Sequence, residues 1–312
     1  MKAFFKTFLV VFLITLVLAT PLMAAMNRVL DVNPGGDDVP VLEDELDVLI
    51  DPESPFFDAF SNSKRVNILA LGVNENEGLT DTIMLVSFDT ENKLLDLIWI
   101  PRDTYYYRGA GYSDRAHHKI NAVYRKNPVN TAKAVSEILM DIPINYYVVL
   151  SYEGVANIVD SMKGVPMDIP FDMIYDDPLD TPPLHINLKK GEQVLNGAQA
   201  VQFLRYRAGY PDADLGRIKA QQQFMKNAFK QCLSLDLPKI VTTAFDEIKS
   251  DITLKVALAL ASKAIGITGE DIRIHTMPIR TVDYYVRPDV EGIMAMLTEI
   301  HMPAPVEEEA GQ

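Results

Sequence analysis

The chain has 312 residues, 48% of them hydrophobic and 23% charged, which excludes a wholly disordered or fibrous protein and fits one large domain with a smaller addition. Lys and Arg number 29 against 43 Asp and Glu, a formal net charge of −14, so the phosphate backbone of a nucleic acid would be repelled. The one cysteine, Cys232, excludes an intramolecular disulfide and a thiolate zinc cluster and reads as a small core residue.

In chain order, residues 1–7 carry Lys2 and Lys6, and residues 8–26 contain no charge and are nearly all apolar. About 19 such residues approach the roughly 20 that a helix needs to cross a bilayer. The preceding lysines keep the short N-terminus in the cytoplasm and place everything after residue 27 outside it. A cleaved signal peptide is the alternative, with Leu22-Met23-Ala24 as its cleavage site; both readings give an exported protein. Residues 27–63 read as an acidic spacer, because 31–61 hold ten acidic residues and no basic one, punctuated by prolines and glycines. A regulatory strand docked around 39–50 is the other reading of that stretch.

From residue 64 the element types alternate. Val66–Leu71, Ile83–Phe88 and Leu94–Ile100 are short apolar runs bounded by turn residues and predict buried strands. A helix capped by Asn130 is predicted to run to about Met140, then a strand over Asn145–Leu150, a helix over Tyr152–Ser161 and a strand over Val165–Ile169. Asn196 predicts the cap of a helix carrying Val201 and Leu204, and Ile218, Gln222, Met225, Phe229 and Cys232 form one face of a longer helix. Helices at about 254–265 and 290–300 flank a strand at 271–277, and the tail 303–312 reads as disordered. This pattern is an α/β fold with a mixed central sheet flanked by helices, preceded by one N-terminal transmembrane helix. The domain proper is expected over 64–235, with a C-terminal α/β extension over 236–302.

The basic residues are concentrated. Segments 99–126 and 199–230 each hold six basic residues against two acidic ones, a local charge of +4 in an acidic protein. Arginine forks match phosphate oxygens in pairs. Arg205 and Arg207, two apart at a helix end, can be aimed into one cleft. Arg217 and Gln221, four apart, share a helix face, and Asp214 can cap that helix or brace an arginine. The ordinary alternative is a pair of solvated, salt-bridged faces. His117-His118 do not suit a shared metal if extended, because neighbours on a strand point to opposite faces; they read as loop residues near a phosphate site. Tyr105-Tyr106-Tyr107 can stack on sugar rings or simply pack.

Six blocks in order carry a family resemblance: Leu79-Thr80-Asp81-Thr82-Ile83-Met84, Ile100-Pro101-Arg102-Asp103-Thr104, Lys119-Ile120-Asn121-Ala122-Val123-Tyr124, Gly191 to Gly197 (GEQVLNG), Arg205-Tyr206-Arg207, and Asp214-Leu215-Gly216-Arg217 with Gln221 and Gln222. Over roughly residues 64–235 the chain resembles the LytR-CpsA-Psr family of cell-wall glycopolymer transferases. The resemblance implies one N-terminal membrane helix and an extracytoplasmic α/β domain. That domain would hold a polyprenyl pyrophosphate with its lipid tail in a hydrophobic tunnel. It further implies transfer of a phosphate-linked glycopolymer from that lipid to peptidoglycan, in a Gram-positive-type envelope. Arg102, Lys119, Arg205, Arg207, Arg217 and Gln221 match the pyrophosphate-binding residues. Asp81 matches a carboxylate that holds the divalent cation, Mg²⁺ or Mn²⁺, with Asn74 beside it in the pattern. Asp103 and Asp214 match carboxylates that orient the arginines; Asp81, Arg102 and Asp103 are the expected catalytic set.

Three positions depart from that pattern. Asn74 stands where the family usually has Asp, Leu79 where it has Arg, and Trp99 where it has Ser. The metal site thereby loses a carboxylate unless Glu75 or Glu77 supplies one, and the phosphate site loses an arginine. A weakened transferase is expected. A lipid-binding envelope protein without transfer activity and a pyrophosphatase acting on the same lipid are the alternatives.

Overall fold

The computed structural model describes residues 52–74, 78–109, 111–112, 114–179, 183–210, 214–233, 245, 247–264, 267–282 and 285–302. The expected membrane span 8–26, most of the acidic stretch, Glu75, Glu77 and the tail 303–312 lie outside the described residues, as do the side chains of Asn74, Asp214, Arg217 and Cys232. No helix among the described residues is long and apolar enough to cross a membrane.

Among the described residues the first helix is α1 (Phe57–Ser61), and Phe56 and Phe60 are buried in the core, so the end of the acidic stretch carries two core aromatics. Three strands follow: β1 (Arg65–Asn74), β2 (Leu79–Asp89) and β3 (Leu94–Ile100). Two 3-10 turns, Arg115–His118 and Ile120–Val123, lead to α2 (Pro128–Ile138), β4 (Tyr146–Leu150) and α3 (Tyr152–Ser161). Two small antiparallel ribbons come next: β5 (Val165–Ile169) pairs with β8 (Gly191–Leu195), and β6 (Met173–Asp177) pairs with β7 (Leu184–Leu188). Then come α4 (Gly197–Arg205), α5 (Asp214–Leu233), β9 (Ile248–Ser250), α6 (Leu254–Lys263), β10 (Ile272–Thr276), the hairpin of β11 (Ile279–Val282) and β12 (Tyr285–Pro288), and α7 (Val290–His301).

Among the described residues the main sheet has six strands in the order β10-β3-β2-β1-β4-β9. β1, β2 and β3 form an antiparallel meander; β4 lies parallel to β1 and β10 parallel to β3, while β9 closes the other edge antiparallel to β4. β2 is buried continuously from Thr80 to Phe88. Both its faces are covered, which is why its sequence reads as an unbroken apolar run and not as an alternation. Both edge strands come from beyond residue 236, so the C-terminal extension is built into the same sheet as the domain it follows.

The capping expectation at Asn130 is corrected. α2 begins at Pro128, and Asn127 is the cap, its side chain accepting from the Val129 N–H. Pro128 at the first turn supplies a φ already suited to the helix and lacks an N–H that would have gone unsatisfied. Asn196 does cap α4, in a capping box with Gln199. The strands β6, β7, β8, β9, β11 and β12 have no counterpart in the sequence reading. They are three to five residues long with mixed exposure, too short for a periodic signal.

Candidate active site

The carboxyl ends of the parallel strands β1, β3, β4 and β10 lie at one end of the sheet, together with the start of β2. Loops leaving such an end form the crevice in which α/β sheets place their ligands. Four sequence blocks converge there.

Asp81 reaches this crevice through a break in the ladder. Gly72 stands opposite Thr82, but the next residue, Val73, stands opposite Thr80, so β2 carries Asp81 as one extra residue in a bulge. A bulge turns a side chain out of the strand's alternation. The Asp81 side chain is 3% exposed, and its Oδ1 accepts a 2.9 Å hydrogen bond from Nη1 of Arg102. Its Oδ2 accepts one from the Tyr152 hydroxyl at 3.3 Å. Tyr152 is the first residue of α3, directly after the Ser151 cap. Burial first, then the Asp81 charge, pushes the Tyr152 hydroxyl far above the usual tyrosine range, so it stays a donor.

Arg205 ends α4 and is 5% exposed. Its guanidinium lies 4.6 Å from the centre of the Tyr152 ring, a cation–π contact. Arg207 lies past the helix end, exposed, and its charge, like that of Arg205, favours ionisation of Tyr152. Gln221 of α5 is buried and donates from Nε2 to the Leu204 carbonyl at 3.2 Å, tying α5 to the end of α4 that presents Arg205. Arg217 and Asp214 belong to the first turn of α5 by backbone position.

Below Arg102 a second carboxylate takes part. Asp103 Oδ1 accepts from Lys119 Nζ at 2.8 Å, while its Oδ2 lies 3.8 Å from Arg102 Nε. Arg102 therefore sits between two carboxylates, and Lys119 is held half-exposed at the rim. His117 and His118 fall in a 3-10 turn. His118 accepts the Arg108 N–H at Nδ1, donates from Nε2 to the Tyr112 carbonyl at 2.7 Å, and stacks on Tyr107. Both its nitrogens are engaged within the loop, and no cluster of three potential metal ligands exists among the described residues. Tyr106 donates to Glu137; burial first, then the Glu137 carboxylate, raises its hydroxyl to about 12.

The structure thus gathers Asp81, Arg102, Asp103, Lys119, Arg205 and Arg207 at one end of the sheet, with Gln221 bracing α5 behind them. Asn74 closes β1 opposite Leu79 in the ladder. Tyr152 was missed at the sequence level; its only signal is its position at the first turn of a helix that directly follows a parallel strand. Among the described side chains of this cluster four cations stand against two carboxylates, a residual +2, with Asp81, Arg102 and Arg205 largely buried and Asp103, Lys119 and Arg207 open to solvent. Such a site can receive a multiply charged anion. A separate cavity of about 520 Å³ between the β5–β8 ribbon and α5 is lined by Asp168 and Glu192 and would repel such a ligand.

The comparisons with known proteins bear on the family and the fold. The LytR_cpsA_psr family profile matches residues 44–300. The polyisoprenyl-teichoic acid–peptidoglycan teichoic acid transferase TagV of Bacillus subtilis (strain 168) is 29% identical over 235 residues, 72% of this chain and 59% of that protein. The corresponding transferase TagU of Bacillus cereus (strain AH820) is 36% identical over 175 residues, 55% of this chain and 54% of that protein. The chain therefore spans little more than half the length of these two relatives. The crystal structure of B. subtilis TagV superposes with a TM-score of 0.62 at 27% identity, covering 78% of this chain and 99% of that one. With its profile match, its sheet order and its ordered motif blocks, the chain belongs to the LytR_cpsA_psr family.

Proposed function

We propose that the protein is a membrane-anchored phosphotransferase that moves a glycopolymer from a polyprenyl-pyrophosphate carrier to peptidoglycan. The observation that carries this reading is the cationic cluster built on Asp81, Arg102, Lys119, Arg205 and Arg207, in the same family as transferases named for teichoic acid transfer to peptidoglycan. Residues 8–26 are the proposed anchor, with the folded domain on the extracytoplasmic side.

Phosphoryl transfer asks for charge neutralisation and alignment more than for covalent participation by the protein. A sugar hydroxyl of the acceptor attacks the glycopolymer-bearing phosphorus, the bond to the bridging oxygen breaks, and polyprenyl phosphate leaves. The bridging oxygen leaves with the bonding electron pair on the polyprenyl phosphate, and the proton of the attacking hydroxyl passes to solvent. Arg205 and Arg207 hold the leaving phosphate, and Arg102 and Lys119, positioned by Asp81 and Asp103, hold the transferred one. Asp81 brings hard carboxylate oxygens to this end of the sheet and would suit a Mg²⁺ or Mn²⁺, with Asn74, the last residue of β1, as the second expected ligand. That cation would supply further neutralisation of the phosphates.

The test is turnover of a polyprenyl-pyrophosphate-linked oligosaccharide with peptidoglycan fragments as acceptor. The wild type is expected to form a phosphodiester product, and Asp81→Asn to lose roughly a hundredfold in rate. Release of free phosphorylated sugar without acceptor incorporation identifies a pyrophosphatase. Binding of the lipid by wild type and Asp81→Asn with no turnover by either overturns the transferase reading.

A further inference from the structure

The β11–β12 hairpin brings a fourth arginine to the rim of the site from a part of the chain about 165 residues away from Lys119. Its register sets Arg280 directly opposite Arg287. Like charges facing each other across a ribbon oppose its formation, and the two are compensated differently. Arg280 pairs with Asp289 at 2.6 Å. Arg287 has no carboxylate within ion-pair distance among the described residues; its guanidinium lies 4.5 Å from the Tyr105 ring centre and 5.5 Å from that of Tyr285.

The backbone fixes where this arginine stands. β12 runs beside the residues that follow the Arg102-Asp103 pair: the Tyr105 N–H donates to the Val286 carbonyl at 2.6 Å, and Thr104 bridges Val286 in parallel. On its other side Tyr105 bridges Lys119 antiparallel. In such a ribbon Tyr105 and Lys119 point to one face, and alternation puts Tyr285 and Arg287 on that face with them. The ring contact of Tyr105 with Tyr285, edge to face at 4.8 Å, agrees. Arg287 therefore continues the row Arg102, Asp103, Lys119 outward from the buried cluster. Arg287 is partly exposed, so its guanidinium, with the two rings beside it, can offer N–H donors to a ligand.

We propose that Tyr105, Tyr285 and Arg287, with Arg280 across the hairpin, form a subsite for the phosphodiester-linked chain that trails from the donor's pyrophosphate. Arg287 takes a phosphodiester oxygen pair, and the tyrosine rings lie against the sugar or polyol between phosphates. A repeating polyanion suits this face better than a neutral glycan strand, because Arg287 brings to it a cation with no carboxylate partner among the described residues. The subsite rests on the transferase reading, since it is placed by reference to the pyrophosphate site.

The experiment measures binding to the full chain in detergent with three soluble probes: oligomers of glycerol phosphate about ten units long, dextran of similar length, and geranylgeranyl pyrophosphate. The wild type is expected to bind the polyanion and the pyrophosphate but not dextran. Arg287→Gln is expected to weaken the polyanion about tenfold and leave the pyrophosphate unchanged, and Arg287→Lys to recover part of the loss. The unchanged pyrophosphate affinity reports an intact site, and Tyr285→Ala provides a second, independent loss. Equal polyanion affinity in wild type and Arg287→Gln, or binding of dextran that Tyr285→Ala abolishes, overturns the subsite alone. Failure of the wild type to bind geranylgeranyl pyrophosphate removes the transferase reading and the subsite with it.

Discussion

Arg205 lies 5% exposed with its guanidinium over Tyr152, whereas Arg207, two residues on, is exposed beyond the helix end. Both contribute positive charge near the Tyr152–Asp81 pair, but they answer to different surroundings. Removing an exposed arginine leaves packing almost untouched, within about 0.5 kcal/mol. Removing a buried one also deletes a stacked stem and guanidinium. Arg207→Ala is therefore expected to weaken geranylgeranyl pyrophosphate roughly 10- to 150-fold, the loss of one charge-assisted contact, with an unchanged melting temperature. Arg205→Ala is expected to weaken it by at least as much and to lower the melting temperature as well. Calorimetric titration paired with a thermal melt separates the two; identical melting behaviour of both variants would contradict the burial argument. The alternation of residue types around Arg205-Tyr206-Arg207 signalled an anion site, yet nothing local distinguished the arginine that is buried from the one that is not.

Two short helices hold the site's aromatic and cationic halves together. α3 carries Tyr152 at its start, and α4 carries Arg205 at its end. They meet where Gly197 lies against the backbone of α3: a Cβ on Gly197 would come 2.2 Å from the Ala156 carbonyl oxygen. The Gly197 N–H also donates to Asp160 at 2.7 Å. Backbone atoms cannot give way as a flexible side-chain tip does, so Gly197→Ala must push the helices apart. Overpacking of this kind costs roughly 1–3 kcal/mol. The expected result is a lower urea midpoint together with weaker pyrophosphate binding, because the Tyr152–Arg205 stack is opened from a distance. A variant that loses stability but binds normally would show that α4 moves without Arg205. The Gly197 requirement was half legible, since Asn196 and Gln199 mark the capping box, but the close approach to Ala156 joins residues about 40 positions apart.

Across the whole molecule a second charged cluster occupies the end of the sheet opposite Asp81. Asp96, wholly buried on β3, accepts from Arg65 at 2.8 Å, from Arg273 at 2.7 Å and from His275 at 2.8 Å. Burial alone would raise its carboxyl; the His275 and Arg273 hydrogen bonds and the Arg65 charge overcome this and hold it at about 2. Nearby, both ring nitrogens of His301 are buried without a hydrogen-bond partner among the described residues, and the ring packs edge-on to Phe60. Burial, then the Arg65 charge, pushes His301 down to about 4, with Asp96 and Asp89 acting in the other direction. The folded state therefore resists protonating His301. Its contribution is fully present above about pH 6.5 and is lost as pH falls towards 4, by up to about 3 kcal/mol. The contribution of Asp96 is present above about 3.8 and is lost towards pH 2, a further roughly 2 kcal/mol. Urea midpoints are expected to fall in two steps over these windows, and His301→Phe to remove the upper one only. An unaltered slope between pH 6.5 and 4 in that variant would assign the step to other groups.

The amino-acid sequence by itself determined what depends on neighbours along the chain. The apolar runs of β1, β2 and β3, the helical faces of α3, α4 and α7, the Asn196 cap and the concentration of arginines and lysines in two segments were all legible. Their physical basis, side-chain periodicity and local hydrogen bonding, acts within a few residues. Tertiary structure alone decided the rest. The bulge that aims Asp81 exists only in the pairing of β1 with β2; Tyr152 reaches Asp81 across 71 positions, and β12 meets Tyr105 across more than twice that. Likewise Asp96 becomes a buried counter-ion only because β10, far along the chain, returns to pair with β3. Each of these depends on which strands pair and in what register, a choice made by burial of the whole sheet and not by any stretch of sequence read alone.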